Sequence, residues 1–97
     1  MARQITWSAN AQRERLEILK YWADRNGSPR YSEKLDSMFR ASLRLVAAHP
    51  KIGRSTSDPY VRMKSVGGYM LFYSCSAAEV YMLSVWHSKR DPKAMPF

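Results

Sequence analysis

The sequence predicts an α+β domain in the order β-αα-βββ: a four-stranded antiparallel sheet with an αα-hairpin packed on one face. Three observations predict it. Apolar residues recur at helical spacing through the segments 9–25 and 30–48. The period changes to two after Tyr60. Asn26-Gly27-Ser28-Pro29 and Gly67-Gly68 mark a helix–helix connection and a β-hairpin turn. At 97 residues the chain fits a single domain over residues 1–97.

The first strand is read from Arg3 to Trp7, where Ile5 and Trp7 alternate with polar neighbours. Ser8 or Asn10 then offers a side-chain oxygen to the open N–H groups of a helix. That helix runs from Ala9 to Arg25, with Leu16, Ile18, Leu19, Trp22 and Ala23 as its apolar stripe. Gly27 suits the left-handed position after a helix, Ser28 an N-cap and Pro29 the first helical position. The second helix, Arg30 to Ala48, carries Leu35, Met38, Phe39, Leu45 and Val46, and Pro50 stops it. So short a connection makes the pair antiparallel. Lys51 to Tyr60 reads as a loop.

Three strands follow. Val61 to Val66 puts Arg62 and Lys64 on one face. Tyr69 to Cys75 and Val80 to Trp86 are apolar on both faces, so they belong in the middle of the sheet. The helical hairpin covers one sheet face. The other is expected to be left open, with aromatics on it and a basic rim, the character of a partner-binding surface.

Composition excludes several functions. Sixteen Lys and Arg against eight Asp and Glu leave a net charge of +8, which points to nucleic acid or an acidic protein segment as partner. No apolar run approaches the ~20 residues that span a bilayer, and the start lacks the apolar stretch of a signal peptide, so a cytoplasmic protein is expected. A lone cysteine, Cys75, makes neither an internal disulfide nor a zinc site, and it is expected to be buried and inert. No phosphate-binding glycine loop or metal-binding motif is present, so no metal or other cofactor is expected.

A basic and aromatic set remains: Arg54, Arg62, Lys64, Tyr73, His87, Lys89 and Arg90. Metal-free RNA cleavage needs an acid, a base and cations. His87 and Tyr73 fit the first two roles, and Arg62, Lys64 and Arg90 the third. Each also has a plain structural reading: solvated strand cations, a packed tyrosine with a satisfied hydroxyl, and a histidine bonded at a strand end. His49 is expected to cap the second helix. Trp7, Trp22 and Trp86 are expected to be packing residues.

Tyr31-Ser32-Glu33-Lys34-Leu35, Pro50-Lys51-Ile52-Gly53-Arg54, Val61-Arg62, Gly68-Tyr69-Met70-Leu71-Phe72-Tyr73 and Val85-Trp86-His87-Ser88-Lys89-Arg90-Asp91-Pro92 together resemble the RelE/ParE superfamily, the toxins of type II toxin–antitoxin systems. The resemblance implies the fold derived above and a role in stabilising plasmids or chromosomal regions. It also implies an acidic antitoxin, for which Arg62, Lys64, Tyr69, Tyr73 and Tyr81 are the expected contacts. Operator DNA is reached only through the antitoxin. RelE-like members cut mRNA on the ribosome, and an Arg usually follows the Gly-Tyr of their third strand. Here Met70 holds that place, and the C-terminal end is Met95-Pro96-Phe97. The chain is thus more similar to ParE-like members, which poison DNA gyrase without being enzymes. Arg54, Lys89, Arg90 and Lys93 are the expected target- or phosphate-binding cations. The alternative is a ribosome-dependent mRNA endoribonuclease; a third reading is a module that only binds its antitoxin.

Overall fold

The computed structural model describes residues 3–89 and residue 97. Its elements are β1 (Gln4–Trp7), α1 (Ala9–Asn26), α2 (Arg30–Ala48), a 3-10 turn at Pro50–Ile52, β2 (Arg54–Ser55), β3 (Arg62–Val66), β4 (Tyr69–Cys75) and β5 (Glu79–His87). The strands form one sheet in the order β1-β5-β4-β3-β2.

Local chemistry sets the helix ends. The Ser8 hydroxyl accepts from the Ala11 N–H, and Gly27 closes α1 at φ 64°, a left-handed conformation that costs glycine nothing. The Ser28 hydroxyl accepts from the Arg30 N–H at 3.2 Å, with Pro29 between them. At the end of α2 it is the backbone N–H of His49, rather than its ring, that bonds the Leu45 carbonyl. Gly67 and Gly68, at φ 56° and 85°, make the tight turn from β3 to β4.

The sheet has five strands rather than four, and it is mixed rather than wholly antiparallel. β2 was unreadable because two polar residues carry no periodicity; it pairs with Arg62 and Met63. β1 lies parallel to β5, Gln4 against Glu79 and Trp7 against Met82. Nearly the whole chain separates these two strands, so no tight turn imposes an antiparallel pairing. α2 returns to the beginning of β1, where the Ala47 carbonyl accepts from the Arg3 N–H. The molecule therefore has two distinct ends, an Arg3 end and a His87 end.

Leu35, Phe39, Leu43, Val46 and Ala47 of α2 pack on Tyr69, Leu71, Tyr73, Val80, Met82 and Val85. Leu43 takes the core position expected of Leu45, which is exposed, as are Met38 and Leu16. The buried set repeats at three- and four-residue steps from Leu35, and Leu45 falls off that stripe. α1 lies further out: only Ala11 is fully buried, with Ile18, Leu19 and Trp22 partly covered. Arg15 ties the two helices together through a two-pronged pair with Asp36, 2.7 and 2.9 Å, while its guanidinium stacks 4.6 Å from the Trp7 ring.

The second sheet face is only partly open, with Tyr81 exposed on it. Val61, Phe72 and Trp86 are buried there, with Met63, Met70, Leu83 and Phe97 packed against them. The Phe97 ring sits 5.3 Å from that of Phe72, so Phe97 packs on this face.

A β-bulge sets the phase of β5. Tyr73 pairs with Met82 and Phe72 with Ser84, leaving Leu83 without a partner on β4. Val80 and Met82 face the helices before the bulge, and Val85 does so after it. The bulge's polar groups are taken by α1. One Glu14 oxygen accepts from the Ser84 hydroxyl, the Val85 N–H and Asn10 Nδ2 at 2.9, 3.1 and 3.0 Å. The Leu83 carbonyl accepts from the Ser8 hydroxyl and from Asn10 Nδ2. Glu14→Ala leaves the Val85 N–H without its acceptor and is expected to destabilise the fold by about 2–3 kcal/mol. Glu14→Gln keeps an acceptor and should lose less; urea titration of both variants checks this, and equal losses would refute it.

Candidate functional site

The predicted site residues divide between the two ends of the sheet. At the Arg3 end, Tyr73 is fully buried. Its hydroxyl donates to the Pro50 carbonyl at 2.9 Å and accepts from the Gly53 N–H at 3.0 Å. Burial pushes its pKa up, opposed by the Gly53 N–H bond and by Arg62. This tyrosine therefore braces the 3-10 turn against β4. Gly53 has to be glycine: a Cβ there would overlap the Tyr73 hydroxyl and lie 2.9 Å from the Met63 carbonyl oxygen.

Arg62 is directly opposite Tyr73, and Lys64 opposite Leu71. Both cations are thus on the helix side of the sheet and not at the rim of the aromatic outer face where they were expected. The alternation was read correctly, but which side the hairpin covers is a tertiary matter. Arg62 donates to the Gly53 carbonyl at 2.8 Å. Arg54 is exposed and paired with Met63, which places it on the outer-face side.

At the other end, His87 closes β5 opposite Tyr69. Its ring meets the Tyr69 ring edge-on at 5.1 Å, and its Nδ1 accepts from the Lys89 N–H at 3.0 Å, so a neutral ring carries its proton on Nε2. Tyr69 is buried, and its hydroxyl accepts from Trp22 Nε1 at 2.7 Å. His87 and Lys89 line a hollow with Tyr21, Trp22 and Arg25 of α1. Arg90 and Lys93 lie outside the described residues.

The expected antitoxin surface is likewise dispersed. Tyr69 and Tyr73 are core residues on the helix side, whereas Tyr81 is exposed on the outer face. Cys75 is exposed, not buried, because β4 runs past the helical cover at its last residue.

The acid–base pair read from the sequence is not assembled. His87 stands opposite Tyr69, four residues from Tyr73 along β4, which is about 13 Å at the usual strand rise. The Tyr73 hydroxyl is turned to the Pro50 carbonyl and the Gly53 N–H, and the His87 ring to Tyr69, so the two groups are engaged at opposite ends of the strand. Met70 faces the outer cluster opposite Trp86. Sequence reasoning missed Arg3 and Lys51, which join Arg62 around a hollow at the Arg3 end. Their distance in sequence hid the grouping.

Among the described residues no helix is long and apolar enough to cross a membrane. No curated protein matches the chain. A solved structure, "Chromosomal ParDE TA system from P. aeruginosa", is similar in fold, with a TM-score of 0.76 at 15% identity over 91% of this chain and 98% of that one. The family model described as the ParE toxin of the type II toxin–antitoxin system parDE matches residues 5–92. A match over nearly the whole domain, on the β-αα-β architecture just described, places this chain in the ParE toxin family of type II toxin–antitoxin systems.

Proposed function

We propose that this toxin arrests growth in the bacterial cytoplasm by binding DNA gyrase, without being an enzyme, and that an acidic antitoxin neutralises it. One observation carries the reading: the groups a metal-free nuclease would need are used elsewhere. The Tyr73 hydroxyl is buried and engaged at 2.9 and 3.0 Å, and Met70 packs in the outer cluster. The His87 end, where Arg25 and Lys89 line a hollow beside Glu17, is the surface offered to the target.

Purified toxin is expected to inhibit gyrase supercoiling of relaxed plasmid while leaving mRNA on ribosomes uncut. His87→Ala should lose far less toxicity than the loss of about 10²–10⁴-fold in rate that removing a general acid or base causes. Full gyrase activity at saturating toxin, or ribosome-dependent cleavage abolished by His87→Ala, would overturn the reading.

A further inference from the structure

At the Arg3 end a hollow of about 620 Å³ opens between the beginning of β1, the end of β4, the 3-10 turn and the loop before β3. Arg3, Lys51 and Arg62 line it, and among the described residues no Asp or Glu does. Both arginines are held in place by neutral acceptors. Arg3 Nε donates to the Ser76 carbonyl at 2.7 Å and its Nη1 to that of Ala47 at 3.3 Å. Arg62 Nη1 donates to the Gly53 carbonyl at 2.8 Å. None of the three cations forms an ion pair among the described residues, whose bridges involve Arg13, Arg15, Lys20 and Arg40. Arg62 Nη1 also reaches the Lys51 carbonyl at 3.5 Å. The guanidinium groups are therefore fixed in position, and among the described residues no carboxylate pairs with them and Arg3 Nη2 and Arg62 Nε and Nη2 have no acceptor. Cations ordered in advance give up little further entropy when an anion arrives.

Pro50, Pro59 and Tyr60, the last 82% exposed, form an apolar and aromatic part of the wall, and Ser74, Cys75 and Ser76 line it at the end of β4. A nucleic-acid backbone presents its charges in a regular row and favours an extended basic track. Here three cations line one hollow beside an apolar wall, which suits a carboxylate flanked by apolar side chains. We propose that this hollow receives an acidic segment of the antitoxin, with an Asp or Glu carboxylate seated among Arg3, Lys51 and Arg62 and apolar neighbours against Tyr60 and the two prolines. The proposal rests on the antitoxin partnership and specifies where, and by what chemistry, that partner is held.

Cys75, the one cysteine of the chain, is exposed on the wall of the hollow and reports on its occupancy. The test follows maleimide labelling of Cys75 in the full chain, alone and with saturating antitoxin. Binding is followed separately by titration. Antitoxin is expected to slow labelling at least about tenfold, and Lys51→Glu to weaken binding about tenfold, while Lys34→Glu on α2, the same change in net charge, stays within about twofold. A single-stranded oligonucleotide should leave labelling unchanged. The proposal is overturned if Cys75 in the bound complex labels at the rate of the free chain, if the two lysine variants weaken binding equally or not at all, or if the oligonucleotide protects Cys75. Failure of the wild-type chain to bind antitoxin in the titration would instead overturn the partnership itself, and this site with it.

Discussion

Phe39→Ala is expected to destabilise the toxin by about 3–5 kcal/mol, the range for emptying a buried aromatic site. Phe39 is fully buried and meets the Tyr69 ring edge-on at 5.8 Å. Tyr69 in turn holds His87 and is anchored by Trp22, so the cavity would open beneath the His87 end. Domains of this size are stable by only about 5–15 kcal/mol. The expected fall in melting temperature is on the order of 15 °C or more. Phe39→Leu, which refills most of the volume, should recover much of the loss. Thermal unfolding of the two variants decides the matter, and a fall of only a few degrees for Phe39→Ala would show that the hairpin can collapse onto the sheet.

The second large effect is expected at Tyr73. Tyr73→Phe keeps the ring but removes the acceptor of the Gly53 N–H and the donor to the Pro50 carbonyl. Gly53 is buried, so its N–H has no ready replacement. A loss of about 2–4 kcal/mol is expected, read as a lower denaturant midpoint with an unchanged slope. Tyr73 also makes stability depend on alkaline pH. Its pKa is raised in the folded chain above the ordinary value of 10.0, chiefly by burial. Below the unfolded value both states hold the proton and the group contributes no pH dependence. Above it the unfolded chain ionises first, so stability falls as pH rises. Tyr73→Phe removes this component. The gap in stability between wild type and variant should therefore narrow above pH 10, and a constant gap would refute the assignment.

Much of the fold was legible because it rests on local chemistry. Ser8, Gly27, Ser28-Pro29 and Gly67-Gly68 do what those residues do in any chain: they satisfy nearby backbone groups or accept a positive φ. The helix limits and the two central strands followed from periodicity, since burial on one or both faces writes itself into the order of apolar residues. The site was harder to read. His87 and Tyr73 are both polar aromatics on central strands, and nothing in their spacing reveals that the register leaves them four residues apart.

By itself, then, the sequence determined the element order, the helix caps, the hairpin turn, the family resemblance and the surplus of positive charge. Each depends on residues close together in the chain or on a simple sum. Tertiary structure alone decided the rest. It made β1 parallel to β5 and brought Phe97 onto Phe72. It put Arg62 and Lys64 on the helix side, and it gathered Arg3, Lys51 and Arg62 around one hollow. The bulge at Leu83 is the clearest case: one unpaired residue reverses the facing of everything after it, and it is held by Glu14, about 70 residues away. Such pairings join residues far apart in sequence, and only the folded chain brings them within hydrogen-bond reach.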